Sequence, residues 1–421
     1  MVPNVGTRPV AALLVAALAA MPVVARAQVQ NAGGPGEWLT QFQSARSLGL
    51  GGSFAALGDD ALGIVWNPAS IVGLDRDELR FENARLFEET SINGFGFAVP
   101  GSRLPSFGFS MLSLSSGDFQ KTDEMNNPLG TFREGETAYL FTVAKGVTPR
   151  FALGANLKLV QQTVEAFNAG GFGVDLGTTF ALLPNLRLAL AGMNFGGPSL
   201  TLRTSQESYP TQIRAGAALT TLGGRGLVTA ELDQQAGLGA RLHAGAEYWV
   251  QPAFGLRVGY NDSYGCGGFS YRFAPQYQLD YAVADHALGL THRVGLSWQF
   301  GGYFASSAAN PTVFSPTGEH AVTQIALNAH TKADAREWTL EIVDKGNQVV
   351  RRFGGPGQPP SHIEWDGKGD TGLPLADGAY RYRLAVTDGA GRLLASHERT
   401  LEISTGGPRG EVPVVSTPDH N

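Results

Sequence analysis

Charged residues and one histidine recur at alternate positions through the middle of this 421-residue chain: Lys158, Arg187, Arg214, Glu231, Asp233, Arg241, His243, Glu247, Arg257, Arg272, Asp280 and Arg293. From 241 to 248 one face reads Arg, His, Gly, Glu and the other Leu, Ala, Ala, Tyr. An ion-selective path would show rings of one sign. The mixture predicts a polar interior knitted by ion pairs. Nucleophilic catalysis would need a serine, a histidine and a carboxylate in concert. His243, His286 and His292 fall on separate segments, and no serine has the context of a nucleophile elbow, so no enzyme is expected. Cys266 is the only cysteine, which excludes an internal disulfide framework and a multi-cysteine metal site. Its setting, Tyr264-Gly-Cys-Gly-Gly268, reads as a loop. Asp366, Asp370 and Asp377 approach a calcium loop, but Lys368 and Thr371 stand where that loop needs an oxygen ligand and a glycine. A turn is the expectation, with no metal and no cofactor. The net charge of −6 gives no reason to propose nucleic acid.

These residues lie in a region of fourteen strand candidates between 78 and 300. They begin near Glu78, Ser91, Ser106, Glu134, Arg150, Gly171, Asn185, Thr211, Arg225, Ala240, Ala253, Gly267, Gln276 and Gly289. Strict alternation marks a strand with one apolar face. A strand that crosses a bilayer inside a closed barrel needs only about 9–11 residues. Charged residues make up 16% of the chain, and glycine supplies 56 residues, which suits strands in lipid. Connections near 100–105, 148–149, 184–185, 223–224, 251–252 and 274–275 are short and mostly carry proline. The intervening ones are expected to be longer, with 115–133 and 196–210 the longest. Outer-membrane barrels have short periplasmic turns and longer external loops. An even strand number then places both barrel ends in the periplasm.

Residues 1–27 read as a secretory signal peptide, with Arg8, an apolar run from Val10 to Met21, and a small-x-small site at Ala25-Arg26-Ala27. Residues 28–77 are not strand-like and are too few to build a core alone. Asp59 or Asp60 is expected to cap a short helix ending near Val65 or Trp66, and Asn67-Pro68 to stop it. After Phe300, residues 301–318 read as a Gly/Ser/Ala/Pro-rich linker. Residues 319–405 show closely spaced short strands, as in a small β-sandwich. Residues 406–421 read as a disordered tail.

Three resemblances carry the functional expectation. Arg293, Gly295, Trp298 and Phe300 resemble the last-strand signal read by the barrel-assembly machinery of Gram-negative outer membranes. The stretch from Ala45 to Leu74, with Asp59-Asp60-Ala61 and Trp66-Asn67-Pro68-Ala69, resembles the PorV/PorQ family of the FadL-type fatty-acid transporter superfamily. That resemblance implies a fourteen-stranded barrel entered by an N-terminal hatch, in which Asp59, Asp60, Trp66, Asn67 and Pro68 are the gating candidates. Between 321 and 403, Trp338, Trp365-Asp366-Gly367, Asp377-Gly378 and Tyr380 resemble the Ig-like domain of the hook-capping protein FlgD. Trp338, Trp365 and Tyr380 would fill its core; Asp366-Gly367 and Asp377-Gly378 would form turns. The expectation is an all-β protein of the outer membrane with its C-terminal domain in the periplasm. The PorV/PorQ likeness implies an interaction or secretion-associated barrel with a secretion-system or periplasmic partner. The FadL likeness implies instead a passive channel for a hydrophobic ligand.

Overall fold

The computed structural model describes residues 34, 36–40, 42–87, 90–101, 104–202, 204–317, 321–389 and 391–405. The expected signal peptide and C-terminal tail lie outside the described residues. The chain divides into two compact units. One comprises the segments up to Leu74 and Glu78–Gln299; the other comprises Asp75–Asp77 and the chain from Phe300 onward.

The first unit is a closed antiparallel barrel of fourteen strands. They are β1 (Asp77–Arg85), β2 (Ser91–Val99), β3 (Ser106–Thr122), β4 (Pro128–Thr148), β5 (Phe151–Val164), β6 (Phe167–Leu183) and β7 (Leu186–Phe195), interrupted by a small hairpin of β8 (Ser199–Leu202) and β9 (Ser205–Ser208). The barrel resumes with β10 (Gln212–Thr221), β11 (Gly226–Gln235), β12 (Ala240–Gln251), β13 (Phe254–Asn261), β14 (Tyr264–Ala274), β15 (Tyr277–His286) and β16 (Gly289–Phe300). Each strand pairs with its neighbour in sequence, except that β7 pairs β10 across the hairpin; β1 and β16 close the ring.

Alternation sorts the side chains as the pleat demands. On β12, Arg241, His243 and Glu247 are buried, while Leu242 and Tyr248 are exposed. On β16, Arg293 and Ser297 are buried, while Val294, Leu296 and Trp298 are exposed. Cross-strand aromatics run over the outer face: Phe81 to Phe95 at 5.3 Å, Phe95 to Phe109 at 6.2 Å and Phe109 to Phe141 at 5.1 Å between centroids. An apolar exterior around a charged interior inverts the ordinary soluble pattern. It is stable only where lipid covers the outside.

The expected strand starts agree to within one residue except at β4, which begins at Pro128 rather than near Glu134, β6, at Phe167 rather than Gly171, and β14, at Tyr264 rather than Gly267. The earlier start of β4 corrects the expectation of a long loop over 115–133. The β3–β4 ladder continues from Ser115↔Gly135 to Thr122↔Pro128 around bulges. Its residues are polar because this ribbon outruns its other neighbours: β2 pairs with β3 only as far as Ser115, and β5 with β4 only as far as Glu134. Both of its faces therefore meet solvent, and its composition reads as loop.

The second unit has two sheets over one core. The first runs β17 (Phe304–Asn310), β19 (Thr323–His330), β22 (His362–Trp365). The second runs β18 (Val313–Phe314), β25 (Arg399–Ile403), β23 (Gly378–Asp388), β20 (Ala335–Val343), β21 (Val349–Pro356), with β24 (Leu393–Ala395) on β23. Trp338, Trp365 and Tyr380 are buried among Leu340, Tyr382, Leu384 and Ile403. Trp365 meets Tyr380 edge-on at 5.9 Å and donates its Nε1–H to Lys368 O at 2.9 Å. The residues read as a linker, 301–318, contain β17 and β18. Small residues there fit because β17 packs Ala305 and Ala309 into the core. At Asp366-Gly367 the expected turn forms: Gly367 has φ +74° and Lys368 N donates to Asp366 Oδ1 at 3.1 Å. The Lys368 ammonium, donating to the same carboxyl at 2.8 Å, holds Asp366 below the usual carboxylate range. Asp377 instead binds Thr405, just past β25, accepting from Thr405 N at 2.9 Å and Thr405 Oγ1 at 2.8 Å. Gly378 opens β23.

Candidate functional site: the filled lumen

The described residues of 36–74 pack against inward-facing residues of the barrel wall. The segment contains the short helices α1 (Glu37–Thr40) and α2 (Ala45–Gly49) and two 3₁₀ turns, Gly63–Val65 and Pro68–Gly73. Ser44 caps α2, its Oγ accepting from Ser47 N at 3.2 Å. The apolar side chains Leu50, Phe54, Leu62, Ile64, Trp66 and Ile71 are buried together with Leu112, Leu140 and Val160 of the wall. Trp66 is the hub. Phe54 meets it edge-on at 5.5 Å, Phe42 lies at 5.7 Å, and the Arg214 guanidinium sits 5.7 Å from its ring.

The wall satisfies the backbone groups that an irregular segment leaves open. Glu231 Oε2 accepts from Phe54 N at 2.9 Å and Ala55 N at 2.8 Å. Asn156 donates to Ile64 O at 3.0 Å, Arg214 to Val65 O at 3.3 Å, and His243 Nδ1 lies 2.9 Å from Gly51 O. Asn67 has the most specific seat. Its Oδ1 accepts from Ala69 N at 3.0 Å, and its Nδ2 donates to Ala55 O and to Thr178 O, each at 3.0 Å. Wall glycines make the close approach possible. A Cβ on Gly177 would collide with Asn67 Oδ1, one on Gly154 with the Pro68 backbone, and one on Gly259 with Gly51 N.

A circuit of alternating charges fastens the segment to the wall. Arg46 pairs with Asp59 and donates to Glu247 at 3.3 Å from both Nε and Nη2. Arg257 donates to Glu247 at 2.6 Å and to Asp280 at 2.9 Å. Arg80 donates to Asp280 at 2.9 Å and to Glu82 at 2.6 Å, with Asp60 3.7 Å from its Nε. Glu82 then accepts from Ala45 N at 3.0 Å, returning the circuit to α2. A side chain on Gly295 would meet Glu82 and Arg80, so this glycine of the last strand makes room for the pair. At the other end of the segment Trp38 Nε1 and Tyr209 Oη both donate to Glu136 Oε2, at 2.5 and 2.6 Å. Burial, then the Glu136 carboxylate, pushes the Tyr209 hydroxyl above its ordinary value.

Two water-sized cavities adjoin Arg214, the first of them also bordered by Trp66. The first, of about 20 Å³, is lined by Phe42 and Trp66 on one side and by Arg214, Glu231, Asp233, Arg241 and His243 on the other. The second, of about 10 Å³, lies among Leu39, Val65, Leu140, Met193 and Lys158.

Of the five N-terminal gating candidates, Trp66, Asn67 and Pro68 pack against the wall and Asp59 and Asp60 pair with arginines, with one correction. Asp59 and Asp60 cap no helix: Leu62 precedes the 3₁₀ turn without a side-chain cap. Asp60 Oδ1 instead accepts from Leu62 N at 3.0 Å, and both carboxylates face arginines, because burial requires a charge partner. Cys266 is likewise no loop residue. It lies on β14, buried against Ala45 and Leu48. Of the expected inward charges, Arg272 emerges at the rim. The reading of sequence missed Arg46, the alternating Glu78, Arg80 and Glu82, and the seats at Gly154, Gly177 and Gly259. The i, i+2 spacing of the β1 charges was a usable signal; the glycines, among so many, carry none.

A closed barrel with a lipid-covered exterior and a charged, filled interior defines an outer-membrane β-barrel. Residues 314–390 match the FlgD Ig-like domain family. No curated protein matches the sequence. Among solved structures the chain is similar to the CymD monoaromatic hydrocarbon channel, at 16% identity over 61% of this chain and 97% of that one, with a TM-score of 0.49. The toluene transporter TodX of Pseudomonas putida is similar at 12% identity, over 61% and 96%, with a TM-score of 0.45. A Pseudomonas aeruginosa FadL homologue is similar at 10% identity, over 62% and 98%, with a TM-score of 0.44.

Proposed function

We propose that this barrel is a gated channel for small, mainly apolar solutes, closed at rest by the segment 36–74. The observation that carries the reading is the aromatic hub of Phe42, Phe54 and Trp66 held inside the lumen. Asp59 and Asp60 fasten the gate, Asn67 and Pro68 seat it, and Trp66 contacts the solute. Proteoliposomes loaded with the full chain should take up small apolar solutes faster than protein-free vesicles, and Trp66→Ala should change that rate. Equal uptake with and without protein would remove the channel reading.

A second reading is a PorV/PorQ-like barrel that engages exported or periplasmic proteins. The FlgD Ig-like match at 314–390 favours it, since solute passage does not require such a module. We infer that this domain lies in the periplasm, because an even strand number sets both barrel ends on the side of the short turns. Cross-linking in cells should then give a protein adduct that disappears when 312–421 is removed. A surface-exposed C-terminal tag on intact cells would contradict the topology. The last-strand residues Arg293, Gly295, Trp298 and Phe300 serve as the assembly signal in either reading; Trp298→Ser with Phe300→Ser should block insertion.

A further inference from the structure

The hairpin of β8 and β9 stands outside the barrel ladder. β7 pairs β10 directly, from Leu186↔Leu219 to Met193↔Gln212, so the wall closes without it. The hairpin folds inward at the end from which the β3–β4 ribbon projects. Gly171 and Gly173 of β6 share the inward parity of Asp175. A Cβ on Gly171 would lie 2.9 Å from the Ser199 backbone, and one on Gly173 2.7 Å from Pro198 Cδ. Leu200 and Tyr209 are buried in one apolar cluster with Leu39 of α1 and Leu112 of the wall, and Trp38, Leu114 and Ala169 pack against that cluster. Thr201, Gln206 and Ser208 are exposed. One face of the hairpin thus covers the N-terminal segment while the other meets water. Gly36 lies so close beneath Tyr209 that a Cβ there would collide with the ring.

We propose that this hairpin is a hinged lid that keeps the N-terminal segment in the lumen, and that Glu136 of β4 is the latch joining the two. Glu136 Oε2 accepts from Tyr209 Oη of the lid at 2.6 Å and from Trp38 Nε1 of the segment at 2.5 Å. The carboxylate is buried and has no ion-pair partner among the described residues. A buried charge without a counter-ion depends on the donors that reach it, so these two neutral donors hold it in place. Lid and segment are thereby fastened at one oxygen. When Tyr209 leaves, water reaches Glu136 and competes with Trp38 for that oxygen, so release of the lid loosens the segment.

The root of the hairpin permits the swing. Gly196 and Gly197 have φ of +69° and +22°, and a Cβ on Gly196 would meet nothing within 4 Å. On the returning strand Pro210 O accepts from Asn194 Nδ2 at 2.9 Å, which ties the root to the end of β7 and leaves β8 and β9 beyond the tie. Hinges absorb a change of φ and ψ at a few terminal residues of this kind. The movement breaks no rung of the barrel. The lid extends the proposed gate from the segment to a second element. Its test reads position alone, so a failure of solute uptake would leave it standing.

The test is maleimide labelling of the folded full chain in detergent micelles, with Cys266→Ala throughout and one reporter at a time: Leu200→Cys on the lid or Leu39→Cys on the segment. Both reporters should be protected while the latch is intact. Tyr209→Phe removes one hydrogen bond to the carboxylate and should speed labelling of both by about tenfold. Glu136→Ala removes the latch and should speed both further. Heat-dependent gel mobility checks that each variant is folded. Tyr209→Phe changes a single hydroxyl outside the barrel ladder, so it decides the matter if Glu136→Ala does not fold. Unchanged protection of Leu200→Cys in Tyr209→Phe would overturn the latch. Faster labelling of Leu200→Cys with Leu39→Cys still protected would overturn the coupling of lid to segment. Rapid labelling of Leu200→Cys with the latch intact would show that the hairpin is no lid.

Discussion

Arg257 stands at the middle of the charge circuit, with Glu247 on one side and Asp280 on the other, and its side chain is fully buried. Removing one partner from a buried pair leaves the others uncompensated, at a cost of about 3–5 kcal/mol. Arg257→Ala should therefore lower the stability of the folded barrel by about that amount, read as a drop in urea midpoint at unchanged slope. A shift below about 1 kcal/mol would mean the circuit behaves like surface ion pairs. The glycine seats make a different prediction. Gly259→Ala puts a methyl group against Gly51 and Leu50, so the segment must shift while the ladder of β13 and β14 survives. Cys266, buried against α2, reports that shift: protected from a maleimide in the native chain, it should react in the variant. A thiol equally protected in both would show that the segment does not depend on this contact.

At the scale of elements, strand positions were legible wherever lipid lies on one face and the lumen on the other. Both environments then write a period of two into the sequence, as on β12 and β16. Legibility failed where that contrast vanished. The ends of β3 and β4 outrun the barrel and read as loop, and β17 is built of Ala and Ser and reads as linker. In the N-terminal segment, Asn67-Pro68 was readable as a stop because proline constrains its neighbour. The roles of Asp59 and Asp60 were not, since their partners lie far along the chain on other elements. The β17 correction has a consequence for the second unit. A fragment of 300–421 keeps the β17–β19 ladder and should melt as one cooperative transition. A fragment of 312–421 lacks Ala305 and Ala309 of the core and should melt lower or aggregate; identical melting would make β17 dispensable.

At the scale of the whole molecule, the outer face commits the barrel to lipid, and the inner face commits it to the segment that fills it. The ion pairs, the backbone bonds from Glu231, Asn156 and Asn67, and the aromatic hub all act between segment and wall, so the wall alone would enclose an aqueous, charged bore. The unboiled protein should accordingly run faster on SDS gels than the boiled one, as a folded barrel does. The most direct test is single-channel conductance in planar bilayers, comparing the full chain with one lacking residues 37–70, each first shown to be folded by that gel shift. The full chain should stay closed for most of the record, and the shortened chain should conduct steadily. Equal conductance in the two would contradict occlusion of the lumen by the N-terminal segment.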